Sequence, residues 1–509
     1  MAEFVESASL KEARAYEEHM EQFISNDERP CFHLSPRVGW MNDPNGFSYY
    51  GGAYHLFYQY NPYATEWAPM HWGHAVSQDL LSWEFLPCAL APDAPYDDLG
   101  GCFSGSAVEL PDGRHLLMYT GVAADGHNED GSTKERQSQC LAVGDGTNYQ
   151  KYEGNPVIDG ATLPVGSSTV HFRDPKVWRE QDGSYRVVMA NLGPDNSGQI
   201  VQYRSDDGFS WQFDGVVARN AGRYGIMWEC PDLFELDGKD VLLVSPQDML
   251  PQGHDFYSGN GTLCIVGALD KATGELVEES AVTIDHGIDF YATQTLLAPD
   301  GRRIMVAWMQ NWDSTTGISP AQRWFGQMTL PRELSVRDGH LYQWPVREIE
   351  GLRTNEVCYQ DVKLDGEPIA LEGIQGRVAD LLVHVRPADE QNPYDEFVMW
   401  FAQDERFHCS LRYRPAHGTL KMSRIHSGSR RAFVHHRKLD VEGAPLELSL
   451  RLVLDKYSVE VFVNGGRQAA TMIVPTEPSA DGISFFSRGG AVVDVKKYDL
   501  VEPAEAAAR

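Results

Sequence analysis

Five glycine-bearing turns, spaced along the first 301 residues, constrain this fold more than any other feature of the chain. They stand at Gly51-Gly52, Asp112-Gly113, Asp182-Gly183, Asp237-Gly238 and Asp300-Gly301. Each leads into an apolar run: AYHLFYQY, RHLLMYTG, SYRVVMA, KDVLLVS and RRIMVAWM. Such a turn followed by β-branched and aromatic residues is a β-hairpin signal. A second echo, DLLSWEF at 79–85 and DDGFSWQF at 206–213, marks outer strands of two units. Almost nothing between residues 30 and 340 has helical period. Five units of about four strands each predict an all-β fold built on a five-bladed β-propeller. A β-sandwich with irregular loops is the competing arrangement for the same repeats.

The 509 residues exceed what one ordinary core holds, so more than one domain is expected. Residues 8 to 25 read as a single helix, with Ser7 or Ser9 able to cap it. The repeat stops near 345, and Arg347 to Arg353 reads as a connector. From 360 to 500 alternating strands such as EFVMWFA, LELSLRLVLD and SVEVFVNGG predict a C-terminal β-sandwich, with Asn464-Gly465 as a tight turn. The expected division is a short N-terminal helical extension (1–29), the propeller (30–345), a linker (346–358) and the sandwich (359–509). The tail EPAEAAAR is expected to fray.

The repeat also carries chemistry. Nine residues before the second glycine of each turn stand Asp43, Ser104, Asp174, Glu229 and Ala292. In a propeller the strand leading into a blade's first hairpin lies beside the axis, so equal offsets predict one level of a central channel. Three of the five residues are acids. Their settings are WMNDPNG, FRDP and WECPD. Asp-Pro and Asn-Gly are ordinary turn formers, and any one of these acids alone reads as well as a solvated turn residue. Three at one repeat position do not.

In this order and spacing the three motifs resemble the signatures of glycoside hydrolase family 32, the invertases and fructosidases. The resemblance covers essentially the chain after residue 30 and includes FSGS at 103–106 and the segment DKYSVEVFVNGG from Asp455. It implies a propeller followed by a sandwich, and retaining hydrolysis of terminal β-fructofuranosides. It makes Asp43 the nucleophile, Glu229 the acid and base, and Asp174 the transition-state stabiliser. A fructosyl bond breaks through an oxocarbenium-like state, so one carboxylate attacks while another group protonates the leaving oxygen, the two roughly 5–5.5 Å apart. Three acids this close cannot all ionise freely. Glu229 is expected to hold its proton, while Asp174, next to Arg173, stays charged. Trp40, Asn42, Gln59, Trp67, Phe103, Ser104, Arg173, Asp289, Tyr291 and Trp312 are expected to line the sugar site, Trp312 towards the leaving group. Trp67 and Phe103 read alternatively as blade-packing aromatics. His71 and His74 have no third ligand in view and read as structural. No metal and no organic cofactor is expected.

A net charge of −30 argues against nucleic acid and anionic membranes as partners. The eight dispersed cysteines, without a Cys-x-x-Cys pair, read as reduced thiols. With the polar stretch from Met1 to Asp27 they predict a cytoplasmic protein acting on small sugars. Sucrose, short fructo-oligosaccharides, sucrose 6-phosphate and fructans all fit one fructose pocket, and transfer to another sugar is the variant reaction. A sugar-binding protein without activity is the reading from another class; all three acids being present argues against it. The sandwich is expected to stabilise the protein or to form a homo-oligomer.

Overall fold

The computed structural model describes residues 4–315, 322–428 and 434–507. Among these, the chain after the N-terminal helix forms five antiparallel sheets in a ring, followed by two stacked sheets. The strands lining the ring axis are Gly39–Tyr50, Gly101–Glu109, Phe172–Arg179, Trp228–Leu236 and Tyr291–Leu297, one for each of blades one to five. The ring closes when Trp324–Phe325, from blade five's long connection, pairs in parallel with Gly39 and Trp40 at the start of blade one. The competing arrangement, a sandwich throughout, is excluded for this part of the chain.

The five turns are of two kinds. In blades one and four the ladder runs to Tyr50–Ala53 and Leu236–Lys239, leaving two-residue loops. In blades two, three and five the loop is wider. The amides of Gly113, Gly183 and Gly301 donate to Leu110, Glu180 and Ala298, and each glycine sits in the left-handed region. A type I turn followed by a left-handed residue needs glycine there. The seams between blades are filled by apolar side chains, with Trp72, Trp228, Trp308 and Trp324 fully buried. Burial of each large apolar side chain stabilises the ring by roughly 2–3 kcal/mol.

The N-terminal helix spans Ala8–Glu21, capped by Ser7, whose Oγ accepts from the Leu10 amide. It ends short of residue 25 because Ile24 turns into the core and Ser25 caps a separate turn at Asn26–Glu28. Arg347–Leu352 forms a 3-10 turn with Ile349 and Leu352 buried. The strand Arg353–Leu364 already pairs with Ala491–Leu500, so part of the stretch read as linker belongs to a sandwich sheet. The tail does not simply fray: Pro503–Ala507 makes a helical turn. No helix among the described residues is long and apolar enough to cross a membrane.

The two parts meet through buried charge. His33, entering blade one, bonds Asp455 at 2.8 Å and Glu460 at 2.9 Å, both in the sandwich. Arg332 of blade five reaches Glu460 at 2.6 Å and Asp285 at 3.0 Å. All five side chains are fully enclosed or nearly so. This explains why the segment beginning at Asp455 accompanies the propeller motifs.

Candidate active site

Every axial strand is broken by a β-bulge at the same height. Ladder pairing skips between Met41 and Pro44, Phe103 and Gly105, Arg173 and Lys176, Glu229 and Asp232, and Tyr291 and Gln294. A bulge leaves residues unpaired and re-aims side chains. Asp43, Ser104 and Asp174 lie inside their bulges. Glu229 does not. It sits one position earlier, in register with Arg173 and Tyr291, because blade four has the shorter hairpin; blade one shares that hairpin, but a second bulge between Asn45 and Ser48 restores its count. The acids therefore stand on two tiers rather than one level.

The lower-numbered tier holds the nucleophile candidate. Asp43 Oδ2 accepts from Ser104 Oγ at 2.7 Å and lies 3.5 Å from Cys230 Sγ, while its Oδ1 accepts from Asn42 Nδ2 at 3.0 Å. Asp174 Oδ2 accepts from the Cys230 amide at 3.0 Å, and its own amide donates to Thr120 Oγ1 at 3.0 Å. Asp174, Cys230 and Ala292 adopt φ of 63°, 49° and 54°. Each left-handed non-glycine residue costs on the order of 1 kcal/mol, strain of a kind that concentrates at functional sites.

The other tier is a row of contacts around Glu229. Arg173 Nε and Nη2 donate to its Oε1 at 3.1 and 3.0 Å, and Gln247 Nε2 donates to Oε2 at 2.9 Å. Tyr291 Oη lies 2.7 Å from Oε2 and 3.1 Å from the Ser245 carbonyl. That hydroxyl has one proton, so it serves both protonation states. It donates to an ionised Glu229, and it accepts from a protonated one while donating to Ser245. Further along the axial strands, Lys176 of blade three and Asp232 of blade four pair at 3.0 Å.

Burial pushes Asp43 above the usual carboxylate range, and the nearby Glu229 charge adds to this; Ser104 and Asn42 oppose it. Asp174 is pushed up to about 7, first by burial, with Arg173 opposing and the Glu229 and Asp43 charges adding. The expectation had placed a charge on Asp174, and the raised carboxyl departs from it: the Arg173 guanidinium stands 3.9 Å from Asp174 while it donates to Glu229 at 3.0 Å.

A cavity of about 470 Å³ opens over these groups. Of the residues singled out in the sequence, Asp43, Asp174, Glu229, Asn42, Gln59, Trp67, Phe103, Ser104, Arg173 and Trp312 line it. Trp67 stands 46% exposed on the cavity, edge-on to Phe103, and so is not packed inside a blade. Three expected residues are elsewhere. Trp40 is buried behind the wall, stacked on Phe325, and its indole donates to Asn42 Oδ1 at 2.7 Å. Tyr291 is enclosed behind Glu229. Asp289 is fully buried at the sandwich interface, paired with Arg424 at 2.6 Å. Gln247, Asp248 and Asn260 line the cavity and were missed; they follow blade four's second strand, where no motif marks them. His74 stacks on Phe57 at 3.9 Å and bonds His55 at 3.0 Å, while His71 is buried nearby.

Residues 33–345 match the family model for the glycosyl hydrolases family 32 N-terminal domain, and residues 348–502 match that for the family 32 C terminal. A raffinose invertase of Escherichia coli is 37% identical, over 91% of this chain and 93% of that protein. A sucrose-6-phosphate hydrolase of Escherichia coli is 36% identical over the same shares. Among solved structures, a mutant of a Bombyx mori family 32 beta-fructofuranosidase in complex with sucrose superposes with a TM-score of 0.82. It is 32% identical and covers 98% of this chain and 99% of its own.

Proposed function

The chain belongs to glycosyl hydrolase family 32, and on that premise we propose that it releases terminal β-D-fructofuranosyl units from sucrose and short fructo-oligosaccharides with retention of configuration. The observation that carries this reading is the pairing of two differently held carboxyls on one cavity: Asp43 supported by Ser104 and Asn42, and Glu229 held by Arg173, Gln247 and Tyr291.

In the first half-reaction Asp43 attacks the anomeric carbon while Glu229 gives its proton to the glycosidic oxygen. The carbon–oxygen bond breaks, a fructosyl ester forms on Asp43, and the alcohol leaves. In the second, water gives a proton to Glu229 and its oxygen to the anomeric carbon, freeing the Asp43 carboxylate. Two inversions restore the starting configuration. Glu229 must change protonation state in each half, and the Tyr291 hydroxyl follows by turning between Oε2 and the Ser245 carbonyl. Asp174 faces the sugar hydroxyls beside the reacting carbon and, holding a proton readily, both donates and accepts there.

Unphosphorylated sucrose is favoured over sucrose 6-phosphate by the cavity's charge. Among the described residues lining it, Arg173 is the only Lys or Arg, and Glu229 already occupies its guanidinium. A phosphate dianion beside four carboxyl-bearing residues would lack a partner. Initial rates on sucrose, sucrose 6-phosphate, kestose, inulin and levan test the reading. The expected order has sucrose or kestose first, with kcat/KM for the phosphate ester about tenfold lower. A preference for the ester would overturn the substrate assignment, and inversion of the released fructose would overturn the mechanism.

A further inference from the structure

The segment leading into blade five runs along the edge strand of the sandwich, Gln468–Ile473. The His286 and Ile288 amides donate to the Ala469 and Thr471 carbonyls, both at 2.8 Å. Gly287 lies so close that a Cβ there would stand 2.1 Å from the Thr471 amide nitrogen. The segment ends at Asp289, whose enclosed carboxylate gathers three elements. Arg424 Nη1 of the sandwich donates to it at 2.6 Å, the Ile473 amide at 2.7 Å and Ser314 Oγ at 2.9 Å.

Two short paths run from this carboxylate to the cavity. Two residues on is Tyr291, whose hydroxyl touches Glu229 at 2.7 Å. Two residues before Ser314 is Trp312, on the cavity wall. The same loop holds another wall residue: Asn311 Nδ2 donates to the Asn260 carbonyl at 2.9 Å, and Asn260 Nδ2 donates to Asp313 at 3.1 Å.

We infer that the buried Asp289–Arg424 pair is a positioning device, by which the sandwich sets the leaving-group wall of the cavity, holding Tyr291 against Glu229 and Trp312 on the wall. This rests on the assignment of Glu229 as the acid. It gives the sandwich a part in catalysis without any of its residues touching substrate. A buried ion pair is a weak way to gain stability, because desolvation offsets most of the attraction, but it fixes geometry well. Small displacements of an acid from its leaving oxygen are costly.

The test uses the full chain with Arg424→Met, Ser314→Ala and, as a control at the same interface, His33→Gln. Kinetic constants are measured on sucrose and on an aryl β-fructofuranoside whose leaving group needs no proton. Arg424→Met should lower kcat/KM for sucrose by about tenfold to a hundredfold, with a several-fold smaller loss on the aryl substrate. Ser314→Ala keeps the ion pair and the fold, and should shift the same ratio in the same direction by about two- to threefold. His33→Gln should lower the melting temperature and leave the ratio alone. If Arg424→Met does not fold, Ser314→Ala decides. An unchanged substrate ratio in the folded variants would overturn the inference while leaving the functional reading intact. A wild type without activity on either fructoside would overturn both.

Discussion

Two clusters of buried acids in this molecule behave in opposite ways. At the interface, burial by itself would raise Asp455 and Glu460, yet His33 with the Cys31 and Lys456 amides holds the first below its ordinary range, and Arg332 with His33 the second. Burial alone would lower His33, but its bonds to the two carboxylates outweigh this and push it up to about 9. In the channel the Arg173 guanidinium reaches Glu229 and, more distantly, Asp174, and burial prevails: Asp43 and Asp174 rise. Residue type is alike in the two places. What differs is access, since Glu229 keeps 17% of its side chain exposed where Asp455 and Glu460 are fully enclosed, and the number of cations. A fully paired cluster fixes two domains, whereas an under-paired one keeps protons and charge available for a reaction.

The comparison is broken most severely at Asp43. Asp43→Ala should cut sucrose turnover by about four orders of magnitude or more with the fold intact, since the loss of its bonds from Ser104 and Asn42 is offset by removal of an unfavourably buried carboxylate. Residual turnover within tenfold of wild type would remove Asp43 as nucleophile. At the interface the balance reverses. Arg332→Met leaves Glu460 and Asp285 enclosed without their guanidinium and should cost about 3–5 kcal/mol in denaturant unfolding. A smaller loss would mean that water reaches the cluster.

Asp174→Asn sharpens the contrast through pH. The folded carboxyl titrates near 7 and the unfolded one near 3.8, so the folded state keeps a proton that the unfolded chain gives up. Wild-type stability should therefore fall between about pH 4 and pH 7, by on the order of 1 kcal/mol per unit, and the asparagine variant should lose that slope. Parallel melting curves for the two proteins would refute the shifted carboxyl. The smallest effect is expected at His33. Its folded value lies above the unfolded 6.5, so its contribution is complete below that pH and is lost as pH rises through about 9. His33→Gln should flatten the alkaline fall in melting temperature seen in the wild type.

Much of this was legible in the sequence, and the exceptions have physical causes. Glycine turns mark hairpins because few other residues accept a positive φ, so Gly113, Gly183 and Gly301 announced blades directly. The acids were legible because Asp43, Asp174 and Glu229 each sit in a short motif. Their tiers were not, since counting from a glycine ignores bulges and cannot tell a two-residue hairpin from a wider one. Trp40, Tyr291 and Asp289 were placed too near the sugar for a related reason. Position on an axial strand gives proximity to the channel, but the partner decides direction, and for Asp289 that partner, Arg424, lies 135 residues away. Gln247, Asp248 and Asn260 come from connections whose path depends on the whole ring. The charge expected on Asp174 was misplaced because adjacency in sequence, Arg173 beside Asp174, was taken for adjacency in space.

The parallel latch between Gly39–Trp40 and Trp324–Phe325 has a consequence for how the molecule is made. The first blade emerges from the ribosome early, but its axial edge has no partner until residue 325 has followed. At ordinary elongation rates that delay is roughly a quarter of a minute to a minute, during which an apolar strand edge is open to wrong partners. His33 waits longer still, for residues 455 and 460. The oldest part of each newborn chain is thus the last to be locked, and chaperone demand should be concentrated there.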